Sequence, residues 1–165
     1  MNTLQRDYDP LNEQIRDYTS GGLDGLTVAP AIAAGLVAAG ASKRVILIAI
    51  IAEAIAGSIS MGLGDYLGVD AIETRKDIAW KSGLRVGISY LLGASIVFFA
   101  YYVSDTATTG LQLSLVLNLF ALIAFGVYRA RMLNIDPLIS TKKVVIVGAF
   151  AMFATYFVSR ALHIT

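Results

Sequence analysis

Five predominantly apolar stretches, residues 22–41, 45–67, 84–103, 111–128 and 144–162, dominate the sequence. A helix rising 1.5 Å per residue needs roughly 20 apolar residues to cross a hydrocarbon core of about 30 Å, and each stretch is close to that length. Backbone at membrane depth must satisfy its own hydrogen bonds, so helices are the economical form for runs this long and uniformly apolar. The sequence therefore predicts an all-α integral membrane protein with five transmembrane helices, in contact with a lipid bilayer. Composition agrees: 56% of the 165 residues are hydrophobic, 15% are charged and the mean hydropathy is +0.68, unlike a soluble domain.

Several function classes fall away. A net charge of +1 supplies no basic field for nucleic acid. With no cysteine and a single histidine, His163, neither thiolate nor multi-imidazole metal sites can be built. No nucleophile with a paired base is visible, so an enzyme is not expected.

Basic residues predict the orientation. With the N-terminus in the cytosol, that side receives Arg6, Arg16, Arg75, Lys76, Lys81, Arg85, Arg129, Arg131, Lys142 and Lys143. Of the chain's 13 lysines and arginines, only Lys43, Arg44 and Arg160 fall on the other side. This asymmetry favours a cytosolic N-terminus and an external or lumenal C-terminus, which requires an odd number of spans.

Residues 1–20 are too polar to read as a cleavable signal peptide. Leu4, Tyr8, Leu11, Ile15 and Tyr18 recur at helical spacing, with Asp9 as a candidate N-cap, Pro10 as first helical residue and Gly21-Gly22 as a stop. The expectation is a short amphipathic helix over residues 1–20, at the membrane surface or beneath the bundle, ahead of a single five-helix domain over residues 21–165; a partly ordered tail is the alternative. The longest cytosolic connection, residues 68–83, carries Asp70, Glu73 and Asp77 and reads as a solvated helical extension.

Carboxylates inside the bilayer are costly, at least about 2.5 kcal/mol at its centre, and so mark candidate functional positions. Glu53 lies near the middle of the second span, Asp24 at the start of the first, and Asp65 near the cytosolic end of the second. Glu53, Gly57, Met61 and Asp65 share one helical stripe; beside it runs a ridge of small residues, Ala52, Ala56, Ser60, Gly64 and Gly68, suited to close helix packing. Opposite connectivity of the first two spans puts Asp24 at roughly the depth of Asp65. Each residue has a structural alternative: Asp24 a helix cap, Glu53 a protonated structural acid, Met61 a packing side chain. Taken together, carboxylates with a soft thioether suit divalent transition metals better than magnesium or calcium.

These residues resemble the vacuolar iron transporter family. The likeness rests on Asp24-Gly25-Leu26, Ser60-Met61 and Gly64-Asp65-Tyr66, with Glu53 at the family's second-helix glutamate, and continues through Ser82-Gly83-Leu84, Ser89-Tyr90-Leu91-Leu92-Gly93 and Ala154-Thr155-Tyr156. Asp65 stands where the family usually has glutamate. The connection between second and third spans is too short for the family's glutamate-rich cytosolic domain, so the chain looks like the short, nodulin-21-like branch. The resemblance implies a homodimer with an ion path between first and second helices, and proton-coupled export of ferrous iron (Fe2+). Asp24, Glu53 and Met61 match the family's path, which Asp65 joins at the cytosolic end of the second helix, and Asp17 is the candidate for a further acid at the cytosolic entrance. No permanently bound cofactor is implied, only transported Fe2+ or Mn2+, across a cell membrane in a prokaryote or a vacuolar or other organelle membrane in a eukaryote. On this reading Glu53 takes up a proton when the metal leaves. A channel without proton coupling and a non-transporting scaffold or assembly subunit remain the alternatives.

Overall fold

The computed structural model describes residues 10–71 and 76–163. All of its regular structure is helical: α1 (Pro10–Ala38), α2 (Lys43–Asp70), α3 (Lys76–Val103), α4 (Ala107–Leu133) and α5 (Pro137–His163). A helix of 28 residues is about 42 Å long, so each outreaches the hydrocarbon core and carries its charged flanks into the interface. Large apolar residues face outward, among them Phe150, Phe153 and Phe157 of α5 and Ile55, Ile59 and Leu63 of α2. That outward apolar surface is the inverse of a soluble bundle and fits lipid as the solvent.

Short caps set the turns. Gly40 adopts φ 74°, and the Ala41 and Gly40 amides return to the carbonyls of Leu36 and Val37, closing α1 in a Schellman motif. Thr106 and Thr109 form a reciprocal capping box at the start of α4, and left-handed Asn134 ends it. Asp136 accepts from the amides of Leu138 and Ile139, with Pro137 as first residue of α5.

Direction follows from packing pairs. Gly21 and Gly25 meet Val86 and Tyr90 in step, so α1 and α3 are parallel; Gly62 lies against Gly83 and Ser58 against Gly87, so α2 is antiparallel to α3. Thr27 and Gly35 of α1 meet Gly148 and Ser159 of α5, while Gly126 and Leu122 of α4 meet Thr141 and Gly148. Odd helices therefore run one way and even helices the other, leaving Pro10 and His163 at opposite ends. Helix α1 is central, touching all four others.

One expectation changes. Residues before the first apolar run do not form a separate helix ended by Gly21-Gly22: α1 continues unbroken from Pro10. Those glycines serve packing instead, since a Cβ at Gly21 would collide with the Val86 carbonyl and one at Gly22 would lie 3.0 Å from the Phe125 ring. Of the expected amphipathic face, Ile15 is buried while Leu11 and Tyr18 are exposed; Leu4, Tyr8 and Asp9 lie outside the described residues. The connection over 68–83 is mostly helix, as expected, since α2 ends at Asp70 and α3 begins at Lys76. Glu73 lies outside the described residues.

Helix α1 carries Pro30 in its interior. Proline has no N–H, so the carbonyl four residues earlier, on Leu26, loses its helical donor. Asn118 of α4, fully buried, supplies the replacement through Nδ2 at 2.8 Å. One buried amide thus fixes α1 against α4 half a turn past Asp24.

Candidate functional site

Glu53 is half-buried on α2 and accepts a hydrogen bond at Oε1 from the hydroxyl of Tyr90 on α3. Its other oxygen, Oε2, is buried and has no hydrogen-bond partner among the described residues. Tyr90 is 3% exposed, and its ring occupies the space that a side chain at residue 57 would fill: a Cβ on Gly57 would fall 2.5 Å from the hydroxyl. The backbone of α1 closes on Tyr90 from another side, because Gly25 packs against its carbonyl oxygen. Half-buried Asp24 is the chain neighbour of that Gly25. Tyr90 therefore meets Glu53 through its hydroxyl and the Asp24-Gly25 segment through its backbone.

Asp24 is deeper than its expected level beside Asp65. Because α1 begins at Pro10, Asp24 lies about four turns into the helix, and its neighbour Gly25 packs on Tyr90. Asp65 is grouped instead with Ser82, eight residues earlier on α3 and about 12 Å away along its axis.

At that shallower level the acids are already engaged. Asp65 accepts from the Ser82 hydroxyl at 2.5 Å and lies 3.4 Å from Arg16. Asp17 is fully buried; its Oδ2 receives Arg85 through Nε at 2.8 Å and a terminal nitrogen at 2.6 Å, and its Oδ1 receives Arg16 at 2.9 Å. Arg16 also pairs with Glu13 at 2.8 Å. This network ties α1, α2 and α3 together at one end of the bundle. Asp17 is thereby an ion-paired structural carboxylate with both oxygens occupied.

Met61 is half-buried two turns from Glu53 on the same stripe. The neighbouring ridge, Ala52, Ala56, Ser60, Gly64 and Gly68, is exposed throughout, and a Cβ at Gly64 or Gly68 would meet nothing within 4 Å. Within the chain α2 packs on α3 through a different small-residue seam, where a Cβ at Gly62 would lie 2.8 Å from the Gly83 carbonyl oxygen. Among the described residues no three His, Asp or Glu side chains converge to hold a metal ion.

Sequence reasoning singled out Asp24, Glu53, Met61 and Asp65 but passed over Tyr90, Asn118 and Arg85. Tyr90 appeared only inside a longer motif, and the signal that exposes it is the pairing of a glycine with a tyrosine across α2 and α3, which needs the helix register. Arg85 carried the readable signal: a charge just inside an apolar run demands a partner.

Five helices long and apolar enough to cross a bilayer, with buried carboxylates between them, define an integral membrane protein. The VIT family model matches residues 15–75 and 67–160. The chain belongs to the VIT family. It is 27% identical over 218 residues to Vacuolar iron transporter 1 of Oryza sativa subsp. japonica, covering 92% of this chain and 86% of that protein. Vacuolar iron transporter 1 of Arabidopsis thaliana is 27% identical over 217 residues, covering 92% and 87%. A fungal relative, Vacuolar iron transporter cccA of Arthroderma benhamiae, is 52% identical over 54 residues, 33% of this chain and 19% of that protein. Alignments longer than this 165-residue chain mean that the plant relatives carry residues with no counterpart here. The family match divides at 67–75, where α2 passes to α3, and the chain fits a truncated branch.

Proposed function

We propose that two copies of this chain form a path that carries ferrous iron, manganese or both out of the cytosol in exchange for protons. The relatives are named as iron transporters, which supports metal-ion transport across a membrane. The observation that carries the reading here is Glu53: a carboxylate inside a membrane span with one oxygen buried and, among the described residues, unpartnered. Such a group is expensive to keep unless an ion or proton engages it.

A second copy supplies what one protomer lacks. The exposed small-residue ridge of α2 suits close approach of another α2, and two-fold symmetry would double Asp24, Glu53 and Met61 around one axis. Carboxylates then provide charge, and the thioether favours a transition metal. Cytosolic metal would enter past Asp65, competing with Arg16 for its carboxylate, while buried Asp17 keeps both arginines in place. The N-terminus faces the cytosol on this reading, and the membrane is vacuolar by analogy with the named relatives.

Purified protein in liposomes tests it. Ferrous iron and manganese flux should rise with an imposed pH gradient and collapse when a protonophore removes it. Flux indifferent to the gradient would make the protein a channel, and no flux of either metal would leave a scaffold.

A further inference from the structure

Glu53 is held by one oxygen alone. Tyr90 donates to Oε1, while Oε2 is buried without a partner among the described residues. The donor is itself fixed, because Gly25 packs against its backbone and Gly57 leaves room for its ring. A hydroxyl has one proton to give, so the two carboxylate oxygens are made unequal.

We infer that Tyr90 is a specificity-determining positioning residue: by engaging Oε1 it leaves Oε2 as the freer oxygen of Glu53 for a passing ion, which discriminates against calcium in favour of smaller divalent ions. The inference rests on the proposed place of Glu53 in the ion path. Calcium gathers six to eight oxygens at about 2.3–2.6 Å and commonly takes a carboxylate by both oxygens. Smaller ions, with ligands at about 2.0–2.2 Å and fewer of them, are satisfied by one oxygen per carboxylate. For calcium to take both oxygens of Glu53, it must draw on Oε1 while the Tyr90 hydroxyl already occupies one of that oxygen's lone pairs, and competition with a hydrogen bond to a charged group sets a preference of about tenfold.

Tyr90→Phe keeps the ring over Gly57 and deletes only the donor. Gly57→Ala leaves the hydroxyl but puts a methyl where the ring lies, moving it off Glu53. Both full-length variants, the parent and Glu53→Gln would be compared in liposomes for manganese flux against rising calcium. The expected result is a calcium inhibition constant about tenfold lower in Tyr90→Phe than in the parent, with a smaller change in the KM for manganese, and a shift in the same direction for Gly57→Ala. Calcium sensitivity equal to the parent's, or loss of flux in both variants, would overturn the assignment. The Glu53→Gln arm separates the two levels of argument. If that variant transports as the parent does, Glu53 is off the path and the underlying reading falls. If it stops flux while Tyr90→Phe keeps the parent's selectivity, only the positioning role is lost.

Discussion

Asp17 is where the structure most changes the meaning of a single residue. Its carboxylate is completely buried, with both oxygens given to arginines. Removing one member of a buried pair strands the other charge, a loss of about 3–5 kcal/mol, so Asp17→Asn should markedly lower the unfolding midpoint in detergent. A variant that unfolds like the parent but needs more metal for half-maximal flux would instead return Asp17 to the entrance. The intramembrane acids Asp24 and Glu53 were legible in the sequence because charge is rare and costly inside an apolar run. Tyr90 was not, since a tyrosine in an apolar span resembles any packing aromatic until Gly57 is seen beneath it.

Helices were the most readable part of the molecule, for the physical reason that crossing the bilayer fixes a minimum apolar length. Their ends were less so, because polar interfacial turns extend each helix beyond its apolar run. Gly21-Gly22 misled most: paired glycines are a common helix stop, yet here tertiary packing on α3 and α4 overrides that propensity and α1 runs through. Pro30 gives this scale its test. Asn118→Leu should cost about 1–3 kcal/mol by orphaning the Leu26 carbonyl. Pro30→Ala restores the missing N–H, so the loss should be much smaller in the double variant, read as a coupling energy from denaturant unfolding. Additive effects would mean that Asn118 does not replace the proline's missing donor.

At the scale of the whole molecule, two small-residue seams on α2 face different ways. Gly62, with Ser58, packs inside the protomer against α3, whereas Ala52, Ala56, Ser60, Gly64 and Gly68 face outward. The sequence showed that a ridge existed but not which seam was internal, because both are equally small and only the rotation of α2 about its axis separates them. Gly64→Leu should leave protomer stability unchanged while weakening crosslinking between copies in native membranes and reducing flux with it. Undiminished crosslinking and flux would move the contact between copies away from this ridge.

In the proposed mechanism Glu53 is the group that meets metal and proton in turn. Glu53→Gln is nearly isosteric and still accepts from Tyr90, but it carries neither countercharge nor a titrating proton. The decisive measurement is the initial rate of ferrous iron flux under a pH gradient, in liposomes holding equal amounts of parent and variant, with crosslinking to verify that copies still associate. The prediction is gradient-driven flux for the parent and background flux for the variant, with association retained. Equal, gradient-driven flux in both would contradict the central claim.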